Sequence, residues 1–540
     1  MKKRVFTLIA CALFAVVLAS GVYAGGTKEP AKPAPAKEAA GPSGTLMMNL
    51  GPREKFEAAW ANPGSFFRIT LLRRLLMCDN QLTVVGTDLA KSWNVSADQL
   101  TYTFVLRDDV KWHDGVPMTG EDVGWSLRTV LKSASLNNVF ATAFAKIDGA
   151  EDWKAGKADN LKGVTVNGNT ITIKLTDRVA AFPLVMAQWP PYPKHLLEKE
   201  DPAKVHLASY WEKPIGNGPY MLTEVKPGNY AVMEPFKDYY GPKPQIAKIL
   251  LQYFDTADAE LMAYKADKIY YGNSMSLATV NEIIKNPNYK ATPTSIFYIR
   301  YLQSNLNNNP AIANPVLRKG LMYAIDRSAI ATKLFPGQAT VLNSKLPPSS
   351  VWYTNEPEKY NYDPAKAKQL LKESGYDMSR TIRLAYYYTD QQTLDLIETI
   401  KYYWEQAGVK VETKLLKGDL LQLIYETRDY DFMYAGLSAM SLEEVYGAFH
   451  TGNSIGLKLG IGDKKLIDPL VEEMYREGDQ AKRKAIVAKI QEWENQNLHQ
   501  MPLFALQMYI IENKKLSKPA IYGNEWFNYD YKLQDWKIVP

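Results

Sequence analysis

The chain has 540 residues, room for three to four domains or lobes at roughly 150 residues each. Hydrophobic residues make up 46% and charged residues 23%, and the mean hydropathy is -0.29; these values exclude a chain disordered throughout and one that crosses a membrane many times. The formal charge is +6, of which Lys2, Lys3 and Arg4 supply three, and the remainder is too weak and too evenly spread to argue for nucleic acid.

Residues 1–24 read as a secretory signal. Lys2-Lys3-Arg4 is the charged start, Val5 to Leu18 the apolar stretch, and Val22 and Ala24 are the small residues of a cleavage site before Gly25. A second reading is a lipoprotein box at Leu8-Ile9-Ala10-Cys11, which would lipidate Cys11 and associate the protein with a membrane. That box comes after only about six apolar residues, so cleavage is preferred. Residues 25–43 are rich in Pro, Ala and Lys without apolar periodicity and read as an extended tether. The remaining cysteine, Cys78, follows Leu75-Leu76-Met77 and reads as packing, with no internal disulfide.

From Gly44 onward strand and helix patterns alternate, which makes the class α/β. Thr45–Leu50 reads as a strand and Phe66–Met77 as a helix. Thr101–Arg107 alternates with period two, as a strand does. Thr119 and Asp122 form a helix-start signature for a helix to about Lys132. Asn167-Gly168 predicts a hairpin between Val164–Val166 and Thr170–Leu175, and Pro227-Gly228-Asn229 a second one between Tyr220–Val225 and Tyr230–Phe236. Asp363-Pro364 opens a helix that stops at Gly375. Ile382–Tyr388 and Val409–Leu416 read as strands around a helix with Leu396, Ile397, Ile400 and Trp404 on one face. Asp479 starts a further helix, and Pro502–Ile511 is a late apolar strand.

Five blocks, in order, resemble the family 5 extracellular solute-binding proteins, the dipeptide-, oligopeptide- and nickel-type receptors of ABC importers. They are Leu89–Leu127, Pro214–Tyr220 (PIGNGPY), Asn314–Arg327, Tyr362–Tyr376 and Tyr402–Glu412. The resemblance implies a two-lobe periplasmic-binding-protein-like fold of type II, the peptide-receptor class, with an extra inserted domain. It places the first lobe at 44–72, 206–295 and 506–540, the inserted domain at 73–205 and the second lobe at 296–505. The chain would cross between lobes near Ser295–Asn305 and Pro502–Ile511. His113 reads as a structural turn residue within Trp112-His113-Asp114-Gly115.

The same resemblance implies capture of a solute by lobe closure and delivery to the permease and ATPase subunits of an ABC importer. A peptide is the expected solute and an oligosaccharide the alternative. The protein is expected to be an extracytoplasmic monomer without cofactor or metal and without catalysis. In peptide-binding relatives a strand like Tyr430–Ala439 leads into an aspartate that pairs with the ligand's ammonium. Here that position is Met440, and Glu443 and Glu444 are candidates for a displaced anchor. Trp60, Phe66, Tyr271, Asn273, Tyr298, Tyr446 and His450 complete the expected cleft. A different class of function, a secreted serine hydrolase, follows from Gly452-Asn453-Ser454-Ile455-Gly456, with Ser454 as nucleophile and His499 downstream. That motif needs a strand before the serine and a helix after it, and the Gly-rich continuation favours a surface loop.

Overall fold

The computed structural model describes residues 42–539 except 51–55, 57, 59, 62–69, 80, 355–357, 440 and 520–530, and leaves out the side chains of 295–297. The expected leader, the tether up to residue 41, Phe66 and Met440 lie outside the described residues.

Two long strands carry the architecture. Tyr289–Ser304 and Gln500–Asn513 run antiparallel along nearly their whole length, from Tyr289 opposite Asn513 to Gln303 opposite Gln500. Their register shifts twice, between Arg300 and Tyr301 and, as the larger bulge, between Ser295, opposite Gln507, and Tyr298, opposite Leu506. Extra residues on one strand of a pair bend it and raise its twist.

On one side of this bulge Tyr271–Ser274 pairs with the Gln500–Asn513 strand. The sheet continues there through Thr45–Met48 and Lys248–Gln252 to the hairpin Tyr220–Lys226/Tyr230–Pro235. On the other side Tyr298–Ser304 pairs with Phe432–Ser438, followed by Thr381–Tyr386 and Lys410–Leu415. The two half-sheets are the cores of two lobes, and both long strands belong to each. Ligands of open sheets with parallel strands sit at the strands' carboxyl ends. In the second lobe, Thr381–Tyr386 is parallel to both Lys410–Leu415 and Phe432–Ser438.

A separate antiparallel sheet orders Ala90–Val95, Thr101–Leu106, Thr170–Lys174 and Val164–Asn167. Its hairpin turns at Asn167-Gly168, where Gly168 has φ +57, a conformation that favours glycine. The helix Gly120–Lys132 beside it begins with a capping box: Thr119 N donates to Asp122 Oδ2 at 2.8 Å. His113 joins two of the five sequence blocks. Its Nδ1 accepts from Gly216 N at 2.9 Å and its Nε2 donates to Gly218 O at 3.1 Å. The turn residue is therefore a buried tie between segments about a hundred positions apart.

The helices follow their caps. Asp390 accepts from Thr393 N and opens Gln391–Gln406, whose Leu396, Ile397, Ile400 and Trp404 are buried. Asp479 accepts from Lys482 N and opens Gln480–Asn497. Two expectations change. Leu76–Cys78, the end of the expected helix Phe66–Met77, is a strand paired with Val84–Thr87. The cause is the turn between them, where Asp79 Oδ1 accepts from Gln81 N and Thr83 N at 2.9 Å and folds the chain back. The expected loop at 452–456 enters a helix, Ser454–Leu459, because Asn453 caps it by accepting from Ile455 N. Among the described residues no helix is long and apolar enough to cross a membrane.

Candidate functional site

A cavity of about 520 Å³ opens between two stretches of chain. One wall comes from residues 138–185: the helix Asn138–Phe144, then Lys146, Asp177, Arg178, Val179, Ala181 and Val185. The other comes from the end of the strand Phe432–Ser438 and the short helices after it, with Leu437, Ser441, Glu443, Glu444, His450, Ile455, Glu472, Tyr475 and Arg476. Local capping builds this second wall. Ser441 Oγ accepts from Glu444 N at 3.3 Å and starts the helix Leu442–Tyr446. Gly447 lets Tyr475 approach, since a Cβ there would sit 2.4 Å from the tyrosine oxygen. The Tyr475 hydroxyl donates to Glu443 O at 3.3 Å.

The walls touch. Arg476 Nε donates to Asp177 Oδ2 at 2.9 Å, and Ala180 N donates to Tyr475 O at 2.7 Å. Arg476 Nη1 also lies 3.5 Å from Glu472 Oε2. Glu472 Oε1 in turn is 3.2 Å from His450 Nε2. Gly452 N donates to His450 Nδ1 at 3.0 Å, so in the neutral ring the proton is on Nε2 and is donated to Glu472. Asp177, Arg476, Glu472 and His450 thus form a polar chain along the cavity.

The expected residues divide. Glu443, Glu444 and His450 line the cavity. Glu443, however, is paired with Arg483, both side chains nearly buried, and Arg483 is fixed by donating to Met474 O at 3.0 Å. A carboxylate so engaged is a poor partner for an incoming ammonium. Three expected cleft residues are core instead. Trp60 packs edge-on against Tyr192 and Trp211 and donates to Ser133 Oγ at 3.2 Å. Tyr271 is fully buried against Trp536, and Tyr446 is fully buried near Phe449. Large rings bury more apolar area than any other side chain. Asn273 is half-buried on the strand Tyr271–Ser274 opposite Ile510, away from the cavity lining. Tyr298 is half-buried outside the cavity too. Its ring stacks on the Arg300 guanidinium, and its hydroxyl is 3.3 Å from that of Tyr388. Phe66 and Met440 fall outside the described residues.

The structure brings in residues that sequence reasoning passed over: Lys146, Asp177, Arg178, Tyr475 and Arg476. They come from a distant part of the chain or from helix faces with no motif. Cys78 is buried, its thiol 3.9 Å from Ala187 O, as its apolar neighbours suggested. Among the described residues no three His, Cys, Asp or Glu side chains gather where a metal ion could be held.

Ser454 lacks the surroundings of a nucleophile elbow. The helix the motif needs does follow, Ser454–Leu459, but a 3₁₀ turn at Gly447–Phe449 comes before the serine in place of a strand. His499 accepts from Gly462 N at 2.9 Å, and burial together with the charge of Arg318 pushes its pKa down to about 3. Such an imidazole is a weak base near neutral pH.

Comparison with known proteins places this geometry. Residues 84–453 match the model for bacterial extracellular solute-binding proteins, family 5 Middle. A Brucella ovis protein named as an ABC transporter peptide-binding protein is 28% identical over 414 residues, covering 74% of this chain and 72% of its own. The nickel-binding periplasmic protein of Escherichia coli is 25% identical over 457 residues, covering 79% of this chain and 82% of its own. The oligopeptide-binding protein of Bacillus subtilis in complex with a nonapeptide superposes with a TM-score of 0.74 at 20% identity, covering 93% of this chain and 100% of its own.

Proposed function

The chain belongs to the bacterial extracellular solute-binding proteins of family 5, and on that premise we propose that its solute is a peptide, held without covalent chemistry. The protein is an extracytoplasmic substrate-binding protein with the two-lobe fold, and it delivers its solute to an ABC transporter.

The cavity lining is the observation that carries the peptide reading. It presents both signs of charge, Lys146, Arg178 and Arg476 beside Asp177, Glu444 and Glu472, on a largely apolar floor of Val139, Ala143, Val179 and Leu437. A peptide has the same mixture, with charged ends, amide groups and side chains of varied polarity. Its volume falls within the roughly 300–1,000 Å³ usual for small-ligand sites. An oligosaccharide would need exposed rings for stacking. Trp60, Tyr271 and Tyr446 are interior, and Tyr475 is the one aromatic residue among the described lining residues.

Capture follows from the hinge. The two long strands carry a bulge at Ser295–Tyr298, so one small rotation there parts the walls, which touch in this structure, and closes them again on the solute. Closure excludes water and strengthens each polar contact to the solute. In this reading the first lobe is 44–72, 206–295 and 506–540, the inserted domain 73–205 and the second lobe 296–505. Residues 25–43 serve as the tether. One chain supplies the whole site and acts as a monomer, by binding and release alone.

A melting-temperature screen tests the proposal with di- to nonapeptides, neutral oligosaccharides and nickel–histidine. A peptide at 100 times its Kd should stabilise the fold by about 2.7 kcal/mol. Stabilisation by an oligosaccharide or the nickel complex, with no peptide effective, would overturn it.

A further inference from the structure

Lys345 follows the strand Ala339–Val341 and is 1% exposed. Its Nζ donates to Val445 O and to Gln500 Oε1, both at 2.6 Å, and both acceptors are neutral. The rings of Phe449 and Tyr301 lie 5.3 and 5.4 Å from Nζ, and the backbone N of Lys345 donates to Glu494 Oε2 at 3.3 Å. Glu494 is itself fully buried. Burial pushes the pKa of Lys345 down to about 8, and the charges of Glu494 and Glu444 act against that fall. Tyr301, the other titratable group packed against it, stays neutral because burial raises its pKa. An apolar side chain of similar length would pack here without the cost of desolvating an ammonium, so stability alone does not explain the lysine.

The two acceptors belong to different parts of the molecule. Val445 is in the helix Leu442–Tyr446, the cavity wall that carries Glu443 and Glu444. Gln500 opens one long strand, and its Nε2 donates to Gln303 Oε1 on the other at 2.6 Å. One ammonium therefore joins the wall to the second-lobe end of both long strands. Phe449 closes the 3₁₀ turn Gly447–Phe449, whose Gly447 and Ala448 also line the cavity. Glu444 lines the cavity, while the carbonyl of the next residue meets Lys345. With both carboxylates ionised, Lys345, Glu494 and Glu444 together carry one net negative charge when the lysine is protonated and two when it is neutral.

We infer that Lys345 is a positioning residue for the solute: from behind the wall it fixes the helix that carries Glu444 and offsets the charge which that carboxylate presents to the cavity. Lys345 thereby sets how strongly the cavity prefers a cationic solute to a neutral one. Loss of its proton makes the wall more negative and favours the cation. By reciprocity, a cation bound beside Glu444 draws the proton off Lys345. The inference rests on the cavity being the solute's site; it does not rest on the solute being a peptide.

The test titrates the full chain by calorimetry between pH 7 and 9.5 with N-acetyl-Ala-Lys-Ala amide and its neutral match, N-acetyl-Ala-norleucine-Ala amide. The peptide's own lysine, with a free pKa near 10.4, stays largely charged over that range. In wild type the affinity ratio of cationic to neutral peptide should rise about fivefold with pH, the low end of usual coupling between sites. Lys345→Met should show the high ratio already at pH 7 and no further rise, whereas Lys345→Arg, charged throughout, should stay at the low ratio. A lysine that only packs would move stability and leave this pH profile flat in all three proteins. If Lys345→Met fails to fold, Glu494→Gln serves instead: it removes a charge that holds the proton on Lys345, so the rise should move to lower pH. A ratio that is constant with pH in wild type overturns the inference and leaves the peptide reading standing. If neither peptide binds, tetramethylammonium chloride replaces them, with sodium chloride as control. Saturable binding that strengthens with pH in wild type and is strong throughout in Lys345→Met then supports the inference and removes the peptide reading. No binding of any of the three probes overturns both.

Discussion

Arg476 and Asp177 are separated by 299 positions in the chain, yet they meet through a 2.9 Å hydrogen bond across the cavity. Burial raises the Asp177 carboxyl, but the hydrogen bond and charge of Arg476 outweigh it and hold its pKa below the usual range. With Ala180 N donating to Tyr475 O, the pair ties one wall to the other.

Because this pair is partly exposed, its contribution is modest, about 0.2–1 kcal/mol. Arg476→Gln should therefore speed ligand dissociation by up to about fivefold while leaving the fold intact. Stopped-flow rates at 0.1 M and 1 M salt check this, since the Debye length shrinks to about 3 Å at 1 M and the difference from wild type should vanish there. Identical rates at low salt would remove the pair from any part in holding the site closed.

Glu443 and Arg483 are a different case, nearly buried and mutually dependent. Removing one partner strands the other, so Glu443→Gln should destabilise the fold by about 3 kcal/mol in urea unfolding. The double change Glu443→Gln/Arg483→Met should recover most of that loss. A stable Glu443→Gln protein that no longer binds peptide would instead make this carboxylate a ligand anchor. Glu444→Gln is the parallel test for its neighbour.

His113 predicts a pH dependence. Burial pushes its pKa down to about 4, from an unperturbed value near 6.5. The native state therefore holds it neutral where the unfolded chain would bind a proton. Its contribution is complete above about pH 6.5 and is lost progressively as the pH falls towards 4, a change of about 3 kcal/mol. His499, with its pKa near 3, adds to the same slope. Urea midpoints between pH 7 and 4 should fall, and His113→Leu, though less stable at pH 7 because Gly216 N loses its acceptor, should show a shallower slope.

Lobe closure should be visible in solution. Small-angle scattering with a saturating peptide should give a smaller radius of gyration than the free protein, because the bulge at Ser295–Tyr298 lets the half-sheets rotate. Ser454→Ala should change neither the binding nor the closure, since Ser454 only begins a helix. An unchanged radius with tight binding would mean a cleft already closed.

Local signals were legible wherever chemistry acts within a few residues. The Asn167-Gly168 hairpin, the Thr119–Asp122 capping box and the helices begun by Asp363 and Asp479 all stand where the chain alone puts them, because caps and turns satisfy backbone groups nearby. The ordered blocks were also enough for the family and the two-lobe fold. The helix expected at Phe66–Met77 is an instructive failure: an apolar run of that length fits a helix or a buried strand, and the pairing of Leu76–Cys78 with Val84–Thr87 decided it.

The site was much less legible. Glu443, Glu444 and His450, which line the cavity, follow a recognisable strand, but Arg483 and Glu472, the partners of Glu443 and His450, come from other helices. Trp60, Tyr271 and Tyr446 looked like cleft residues by type, and only packing shows that they are core. By itself, the sequence determined elements and family, since hydrogen bonds and periodicity are local. The tertiary structure decided which charges are neutralised and by which partners, because a charge's partner can lie 299 positions away, as Asp177 and Arg476 do.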